Sequence, residues 1–505
     1  MRHFLSRGAY AAIALLAGLP PAFGASAEYG SAHVATATGP VTLEMGGVAY
    51  VDQGLLGVGR VPASSLDFMG TTLGSFSGMA IDPASWRKDG DAYVATLYSL
   101  PDRGYNTADR YSDYPGRLVQ FDLRFTPYAG ADLPAEVASQ SQIVLTPTGK
   151  GVTLVDFAGT ATTGFDPDAG ITVQDGHSLP SPEGEGPRQV ALDAEAVAFT
   201  ADGGFYVGDE YTAGIYLFDA DGKMAGFIPP VPALAPMTGG KLNYNSKKAP
   251  DTGRRNNQGM EAAALTPDGK TLIAVLQSAT MQDSAGKGGE RGNTRVLVYD
   301  VSSDPTPQAP VGHYVLQLPL VDTKGDGKMD KTAAQSEVVA LNDHQFLVLA
   351  RDSAGYGTEK ATPIMYKSIL LADTTGATNL AGTEYETGTK PISEGRKLDP
   401  AITPVATGEL INLLNSAQLA RFGMNLDTAA PKGGTTLTLS EKWEAMSLMP
   451  ALDPAHPDDY ILFVANDNDF LATKGVMPGY TYDAGLDNDT TILAFRVTIP
   501  GVQKP

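Results

Sequence analysis

The sequence predicts an all-β protein built as a β-propeller. Two observations carry this prediction, namely a strand–turn–strand pattern that recurs along the chain and a scarcity of helical periodicity. Four copies of the pattern start at Glu195, Glu261, Glu337 and Glu444, and an earlier copy aligns on Ser77. Short strands that repeat in this way and are followed by further strands are typical of radially repeated sheets.

Each copy alternates small and large apolar residues, which indicates a strand that is buried on both sides. A small residue stands three positions after each starting residue, and a bulky one stands four positions after it. The small residues are Ala80, Ala198, Ala264, Ala340 and Ser447, and the bulky ones are Ile81, Phe199, Leu265, Leu341 and Leu448. A turn such as Asp202-Gly203 then leads to a second apolar strand, so each copy predicts a β-hairpin.

The spacing of the copies favours six blades, with five or seven also compatible. The starting residues are 118, 66, 76 and 107 residues apart, and each of the two long intervals has room for one more blade. The N-terminal "VTLEMGGVAYV" and the C-terminal "TTILAFRVTI" are predicted to share a blade and close the ring. Residues 409–423 show the apolar spacing of a helix that ends at Gly423, which predicts one short helical insertion.

The N-terminus has the features of a secretory signal peptide. Arg2 and Arg7 precede a short apolar run, and Ala25-Ser26-Ala27 forms a small-residue cleavage site. The run is too short to span a bilayer. Residues 1–27 are therefore predicted to be removed, leaving 28–505 as a single propeller domain that is secreted or periplasmic.

Charge and composition exclude several classes of function. The chain has 57 acidic and 36 basic residues, a net charge of -21, and no cysteine. A strongly acidic surface repels nucleic acid and anionic lipid, so neither is expected as a partner. The absence of cysteine excludes thiol nucleophiles, iron–sulfur clusters and cysteine zinc sites. The oligomeric state stays open.

Hairpin geometry predicts that the charged residues of all copies meet at one end of the central channel. The start of the first strand lies beside the end of the second in a hairpin. The expected neighbours are Glu195 with Asp209 and Glu210, Glu261 with Gln277, Glu337 with Arg351 and Asp352, Glu444 with Asn466 and Asp467, and Ser77 with Asp102 and Arg103.

Carboxylates that converge in this way repel one another unless a cation neutralises them, and oxygen ligands favour Ca²⁺. The candidate metal ligands are Glu195, Asp209, Glu210, Glu261, Asp352, Glu444 and Asp467, and the candidate catalytic residues are Arg103, Arg351 and Glu337. An arginine beside a metal suits an anionic substrate. The alternative is that each glutamate only accepts backbone N–H bonds from a neighbouring blade.

The order and spacing of five segments resemble the phytase-like family, secreted proteins described as having esterase-like activity of phytase. The segments are "SGMA…PDRG", "DAEAVAF…VGDEY", "NQGMEAAALTPDG…LQ", "SEVVAL…LARD" and "EKWEAMSL…VANDNDF". The resemblance covers about Ser77 to Phe495 and implies a propeller with phosphate-ester chemistry. The family usually has Glu-Gly where this chain has Glu195-Ala196, Glu261-Ala262 and Glu444-Ala445, and Glu337-Val338 departs further.

Three functions follow as hypotheses. The first is a secreted Ca²⁺-dependent phosphoesterase of the phytase-like or phosphodiesterase type, acting on a small phosphoester such as a phytate-like or phosphodiester substrate, in which metal activates water and Arg103 and Arg351 hold phosphate. The second is a Ca²⁺-dependent lactonase or carboxylesterase, and the third is a propeller that only binds a partner. The chain has no G-x-S-x-G, H-E-x-x-H or P-loop motif, which disfavours covalent and zinc-protease mechanisms.

Two loops carry weaker predictions. "DTKGDGKMD" from Asp322 has the spacing of a calcium loop, but Lys324 replaces a ligand and Ala333 replaces the closing glutamate, which favours a solvated turn. The basic stretch 246–259 is either a loop over the channel mouth that attracts phosphate or an ordinary solvated loop.

Overall fold

The structure is a computed structural model that describes residues 26–107, 111–182, 189–284, 288–358 and 361–504. Nearly all of the predicted signal peptide, residues 1–27, lies outside these ranges. The described part is almost entirely β-structure, which confirms the all-β prediction. Its helical elements are the α-helices Glu384–Thr387 and Ser416–Ala420 and the 3-10 turns Val137–Ser139, Gly288–Glu290 and Pro431–Gly433. Within the described ranges, no helix is both long and apolar enough to cross a membrane.

Most strands belong to five antiparallel groups of four, called sheets 1 to 5 here. The first strand named in each group is its inner strand. Sheet 1 contains Gly78–Ile81, Ala92–Leu100, Arg117–Phe125 and Ile143–Thr153; sheet 2 contains Ala194–Phe199, Phe205–Asp209, Ile215–Phe218 and Met224–Ile228; sheet 3 contains Met260–Leu265, Thr271–Leu276, Asn293–Asp300 and Gly312–Gln317; sheet 4 contains Ala334–Ala340, Gln345–Arg351, Lys367–Asp373 and Ala406–Asn412; sheet 5 contains Lys442–Pro450, Asp459–Asp467, Thr490–Thr498 and Val48–Val61.

The remaining strands are short and flank these sheets. Val41–Met45 pairs with the N-terminal strand of sheet 5, and Arg87–Asp89 pairs with Ala92–Leu100. The others form small hairpins or ribbons, namely Ile171–Gln174 with His177–Pro180, Met237–Thr238 with Lys241–Leu242, Ser393–Glu394 with Lys397–Leu398, Gly475–Met477 with Tyr480–Tyr482, and Glu28–Tyr29 with Leu320–Val321 and Lys331–Thr332.

The inner strands lie side by side in cyclic order. The inner strand of sheet 1 contacts that of sheet 2, and the contacts continue through sheets 3, 4 and 5 and back to sheet 1. The described residues hold five four-stranded groups, whereas the sequence favoured six. The two long intervals contain outer strands, small hairpins and the short helices rather than another group of four.

Sheet 5 joins the two ends of the chain. Val48–Val61 pairs antiparallel with Thr490–Thr498 and with Val41–Met45, so the N-terminal and C-terminal segments lie in one sheet, as predicted. The same N-terminal strand meets sheet 1 through a single parallel bridge between Gly59 and Ile143. This strand therefore connects sheet 5 to sheet 1.

Five hydrophobic clusters fill the spaces between neighbouring sheets. A fully buried aromatic residue represents each one: Phe205 between sheets 1 and 2, Tyr206 between sheets 2 and 3, Phe346 between sheets 3 and 4, Trp443 between sheets 4 and 5, and Phe463 between sheets 5 and 1. Each such side chain contributes about 1.5–3 kcal/mol when it leaves water. Burial on both faces explains why these strands are apolar at consecutive positions, as at Phe205 and Tyr206.

The predicted helix over 409–423 is largely wrong. Residues 409–412 continue the strand Ala406–Asn412, which pairs with Lys367–Asp373 as the outer strand of sheet 4. The helix is only Ser416–Ala420, capped by the Asn415 side chain, and Gly423 follows it with a φ of 72°. Leucines at helical spacing were misleading because Leu410 and Leu413 are buried against sheet 5 from a strand and a turn.

We expect Gly59→Ala to destabilise the protein at the junction of sheets 5 and 1. A Cβ at Gly59 would lie 2.2 Å from the main-chain oxygen of Ile143, and backbone cannot move aside as a flexible side chain can. Overpacking of this kind costs about 1–3 kcal/mol of unfolding free energy. Gly39→Ala is the matched control because its Cβ would have no neighbour within 4 Å. Thermal unfolding measures both, and equal melting temperatures would contradict the prediction.

Candidate acidic site

A β-bulge interrupts each inner strand of sheets 2 to 5 near its start. The residue left out of the pairing is Glu195 in sheet 2, Glu261 in sheet 3, Ser336 in sheet 4 and Glu444 in sheet 5. A bulge bends the strand and re-aims the side chain of the extra residue. Three of the four predicted glutamates therefore leave the ladder at equivalent positions of their inner strands.

Glu337 is not the bulge residue of sheet 4. Ser336 is, so the sequence alignment was one residue out of register there. Glu337 pairs with Leu349 in the regular ladder, and its Oε1 accepts a hydrogen bond of 2.8 Å from the N–H of Val338. Burial raises its pKa well above the ordinary value. The predicted contacts of Glu337 with Arg351 and Asp352 are not formed, since those residues pair elsewhere.

Three carboxylates converge most closely. Asp102 follows the second strand of sheet 1, and Asp193 precedes the inner strand of sheet 2 that carries Glu195. Each offers one oxygen, and these oxygens lie within 4.8 Å of one another. Burial and the Asp193 charge raise the pKa of Asp102 to about 7, and burial with repulsion by Glu210 raises that of Asp193 to about 8. The pKa of Glu195 is also raised, by burial and by Glu261.

The acidic region extends from these three residues to the inner strands of sheets 3 and 5. Glu210 and Glu444 both repel Glu261 and, together with burial, raise its pKa. The Gln277 amide donates to Glu261 Oε1 at 2.6 Å, as predicted, but Glu261 Oε2 is buried with no hydrogen-bond partner in the described part of the chain. We call the whole set the acidic cluster; it comprises Asp102, Asp193, Glu195, Glu210, Glu261, Glu444 and Asp467.

Three cations only partly neutralise the acidic cluster. Arg103 Nη1 lies 2.7 Å from Asp193 Oδ2, and Arg351 forms a short ion pair with Glu444. Lys442 Nζ lies 3.6 Å from Asp467 and 2.6 Å from Asp469. Burial acts to raise the pKa of Glu444, but Arg351 and Lys442 hold it below its ordinary value. The other members keep raised pKa values, chiefly because burial removes their carboxylates from water.

Asp209 and Asp352, both predicted as metal ligands, are instead bound to the backbone. Asp209 accepts from the N–H of Asp193 at 2.9 Å and from that of Thr212 at 2.8 Å, with one oxygen each. Asp352 accepts from the N–H of Tyr366 at 3.1 Å and pairs with the buried Lys367 at 2.8 Å. Both carboxylates are therefore engaged by groups of their own sheets, and not by the backbone of a neighbouring sheet.

The sequence alignment missed two members of the site. Asp193 stands two residues before Glu195, and Lys442 stands two residues before Glu444. Both charged residues stand two positions before a starting glutamate, just before the bulge. This equal spacing could have identified them as site residues from the sequence. Asp102 was expected beside Ser77 but was not proposed as a ligand; its N–H donates to Oγ of Ser75 at 3.1 Å.

The arginines of the basic loop 246–259 are buried and hydrogen-bond to neighbouring residues, so they are not exposed to solvent. Arg254 is fully buried and donates to the carbonyls of Tyr211 at 2.9 Å and Tyr244 at 2.8 Å. Arg255 donates to Ser284 Oγ at 2.9 Å. The loop also reaches the acidic cluster, because Ser246 Oγ lies 3.3 Å from Arg103 and Arg254 acts to lower the pKa of Glu210, which burial raises.

The loop at Asp322 forms the predicted turn. Asp322 accepts from the N–H groups of Gly325 at 2.8 Å and Gly327 at 2.7 Å, and Asp330 accepts from that of Thr323 at 2.8 Å. Both carboxylates are thus used within the loop itself.

The described chain is thus an all-β protein with a buried acidic cluster at one end of its inner strands. Comparison with known proteins identifies its family. The model of the phytase-like family, described as esterase-like activity of phytase, matches residues 71–470. An uncharacterized secreted protein of Arthroderma benhamiae is 31% identical over 467 residues, which covers 85% of this chain and 89% of that protein. The chain belongs to the phytase-like family.

Two solved structures show weaker similarity. A luciferin-regenerating enzyme has 10% identity over 88% of this chain and 98% of its own, with a TM-score of 0.27. A chain from an S. cerevisiae complex of Dbp5, Nup159 and Gle1 has 8% identity over 94% of this chain and 100% of its own, with a TM-score of 0.29. Neither contributes to the assignment at these scores.

We expect the stability of the metal-free protein to fall as the pH rises from mildly acidic to mildly alkaline values. Folding raises the pKa of Asp102 and Asp193 from 3.8 to about 7 and about 8. The stability that these groups contribute is present below their unfolded pKa and is lost as the pH rises through the folded pKa. Thermal unfolding in a chelator measures the slope. Asp102→Asn with Asp193→Asn should flatten it, and an unchanged slope would contradict this origin.

Proposed function

We propose that sheets 1 to 5 are the blades of a five-bladed β-propeller. The cyclic contacts of the inner strands support this proposal, as do the five hydrophobic clusters between neighbouring sheets. The blade formed from both chain ends would close the ring. The acidic cluster then surrounds one mouth of the central channel.

We further propose that this propeller is an exported, metal-dependent phosphoesterase of the phytase-like type, acting on a small phosphoester. The observation that carries the proposal is the convergence of Asp102, Asp193 and Glu195 beside the buried Arg103. Membership in the phytase-like family supports hydrolysis, and the secreted relative supports export to the periplasm or the medium.

The donor set fits a hard cation such as Ca²⁺. All candidate ligands are carboxylate oxygens, and Ca²⁺ takes 6–8 oxygen ligands. Asp193 Oδ1 and Glu261 Oε2 are buried without a hydrogen bond in the described chain, so both have a lone pair to give. Asp102, Asp193 and Glu195 would hold the ion, with Glu210 and Glu261 at its edge. A bound cation would polarise the phosphoryl oxygen and lower the pKa of a bound water.

The protein groups around that position have distinct roles in the proposal. Arg103 is buried between Asp193, Tyr111 and Tyr211, and its Nε has no hydrogen-bond partner among the described residues. It therefore has a donor left to bind a phosphate oxygen. Arg351 acts as a positioning residue, because its ion pair holds Glu444 charged.

A Ca²⁺-dependent lactonase or carboxylesterase is the second candidate. One observation favours it, namely that Arg351 is already engaged by Glu444 and leaves Arg103 as the main anion contact. An uncharged carbonyl ester needs fewer cationic contacts than a phosphate. A propeller that only binds a partner is the outcome if no ester is hydrolysed.

Glu195→Gln should weaken Ca²⁺ binding by about 10-fold or more, because it removes one charge from the converging oxygens while keeping size and hydrogen bonding. Glu337→Gln is the matched control, since Glu337 lies outside the acidic cluster and should leave affinity unchanged. Calorimetric titration of chelator-treated protein measures both. Calcium should also raise the unfolding temperature of the wild type by mass action. Equal affinities in both variants would refute the metal site.

Arg103→Lys should raise the KM for a phosphoester about 10-fold while calcium affinity is kept, because lysine retains the charge but loses the planar paired donors. Arg351→Lys should instead lower the unfolding temperature and leave KM close to that of the wild type. A panel of phosphomonoester, phosphodiester and lactone, assayed with calcium and with chelator, measures these effects. Hydrolysis of the lactone alone would favour the second candidate, and no turnover of any ester would favour the binding module.

A further inference from the structure

A cavity runs along the inner strands on the far side of the bulges from the acidic cluster. Its volume is about 370 Å³, and all five inner strands contribute to its wall, for example through Met79, Val197, Ala264, Val338 and Met446. The cavity reaches the surface where the inner strands end, beside the exposed Pro450 and the C-terminal residues 502–504. Its size lies within the range of sites that bind small molecules.

The wall gives water little to bind. A buried water needs two to four polar partners, and apolar cavities stay dry and take up apolar molecules. Most of the lining is Met, Ile, Val, Leu, Phe and Ala, so the body of the cavity suits an apolar occupant.

A buried acidic side chain, Glu337, lies in the wall of the cavity next to the bulge of sheet 4. Glu337 is 3% exposed and lines the cavity, and the only hydrogen bond to its carboxyl among the described residues comes from Val338. A second polar atom, Gln503 Oε1, is buried in the wall without a partner near the outer end. Buried polar atoms are normally paired, so Gln503 Oε1 indicates a missing partner, and the Glu337 carboxyl, with one hydrogen bond, has capacity for another.

We propose that this cavity binds a neutral aliphatic alcohol of medium chain length, with the hydroxyl at Glu337 and the chain along the inner strands. A hydroxyl both donates and accepts, so it pairs with a carboxyl in either protonation state. An anionic head group would be desolvated next to an acidic side chain and is disfavoured. The cavity site is separate from the acidic cluster and does not depend on the proposed hydrolysis.

The test uses 1-octanol, the matched hydrocarbon 1-octene and octanoate as probes on the full chain in chelator, with binding followed by ligand-detected NMR. Wild-type protein should bind octanol saturably and more tightly than octene, and octanoate least. Glu337→Met removes the polar group at similar size, so it should weaken octanol binding about 10-fold and leave octene unchanged. Glu384→Met, at an exposed site, is the control.

Two further variants locate the site. Ala264→Met should fill part of the cavity and weaken both octanol and octene, with thermal unfolding confirming that the protein is folded. Glu195→Gln lies in the acidic cluster and should leave octanol binding unchanged. The proposal is overturned if the wild type binds no octanol saturably, if Glu337→Met has no effect on octanol, or if only Glu195→Gln reduces binding.

Discussion

The repulsion among buried carboxylates at the starts of the inner strands is the constraint on which the functional site depends. Glu195, Glu261 and Glu444 leave the β-ladder at bulges and point into one region, where Asp102 and Asp193 join them. Charges that are close together and shielded from water repel strongly. The surrounding fold is extensive enough to keep them there, since every sheet is held on both faces by a hydrophobic cluster.

The protein offsets this repulsion unevenly. On one side, Arg351 and Lys442 compensate Glu444, so the pKa of that carboxyl stays low. On the other side, Arg103 and Lys442 both act on Asp102 and Asp193, but burial outweighs them, and the pKa values of Asp102, Asp193 and Glu195 rise. A site with uncompensated negative charge, buried but built of oxygen donors, is the chemical environment in which a hard cation replaces protons. The asymmetry therefore locates the proposed metal and substrate on the side of sheets 1 and 2.

The inner strands separate two different environments. Their starts carry the acidic cluster, and their later residues line an apolar cavity of about 370 Å³. The bulge marks the change from one to the other, because it turns one side chain toward the charges and returns the next to the ladder. Glu337 illustrates this separation, since a shift of one residue places it at the cavity rather than among the charges.

The sequence by itself determined the strand-rich fold, the hairpin repeats, the pairing of the two chain ends and the proximity of Glu261 to Gln277 and of Glu444 to Asp467, because period-two patterns and hairpin geometry are local. Only the tertiary structure decided which carboxylates meet. The bulge at Ser336 displaced Glu337, backbone contacts occupied Asp209 and Asp352, and Asp193 entered the site from the residues before a strand. The strand at 409–412 was likewise settled by pairing within sheet 4. These outcomes depend on register and on partners distant in the chain, and a one-residue change in register moves a side chain to another face.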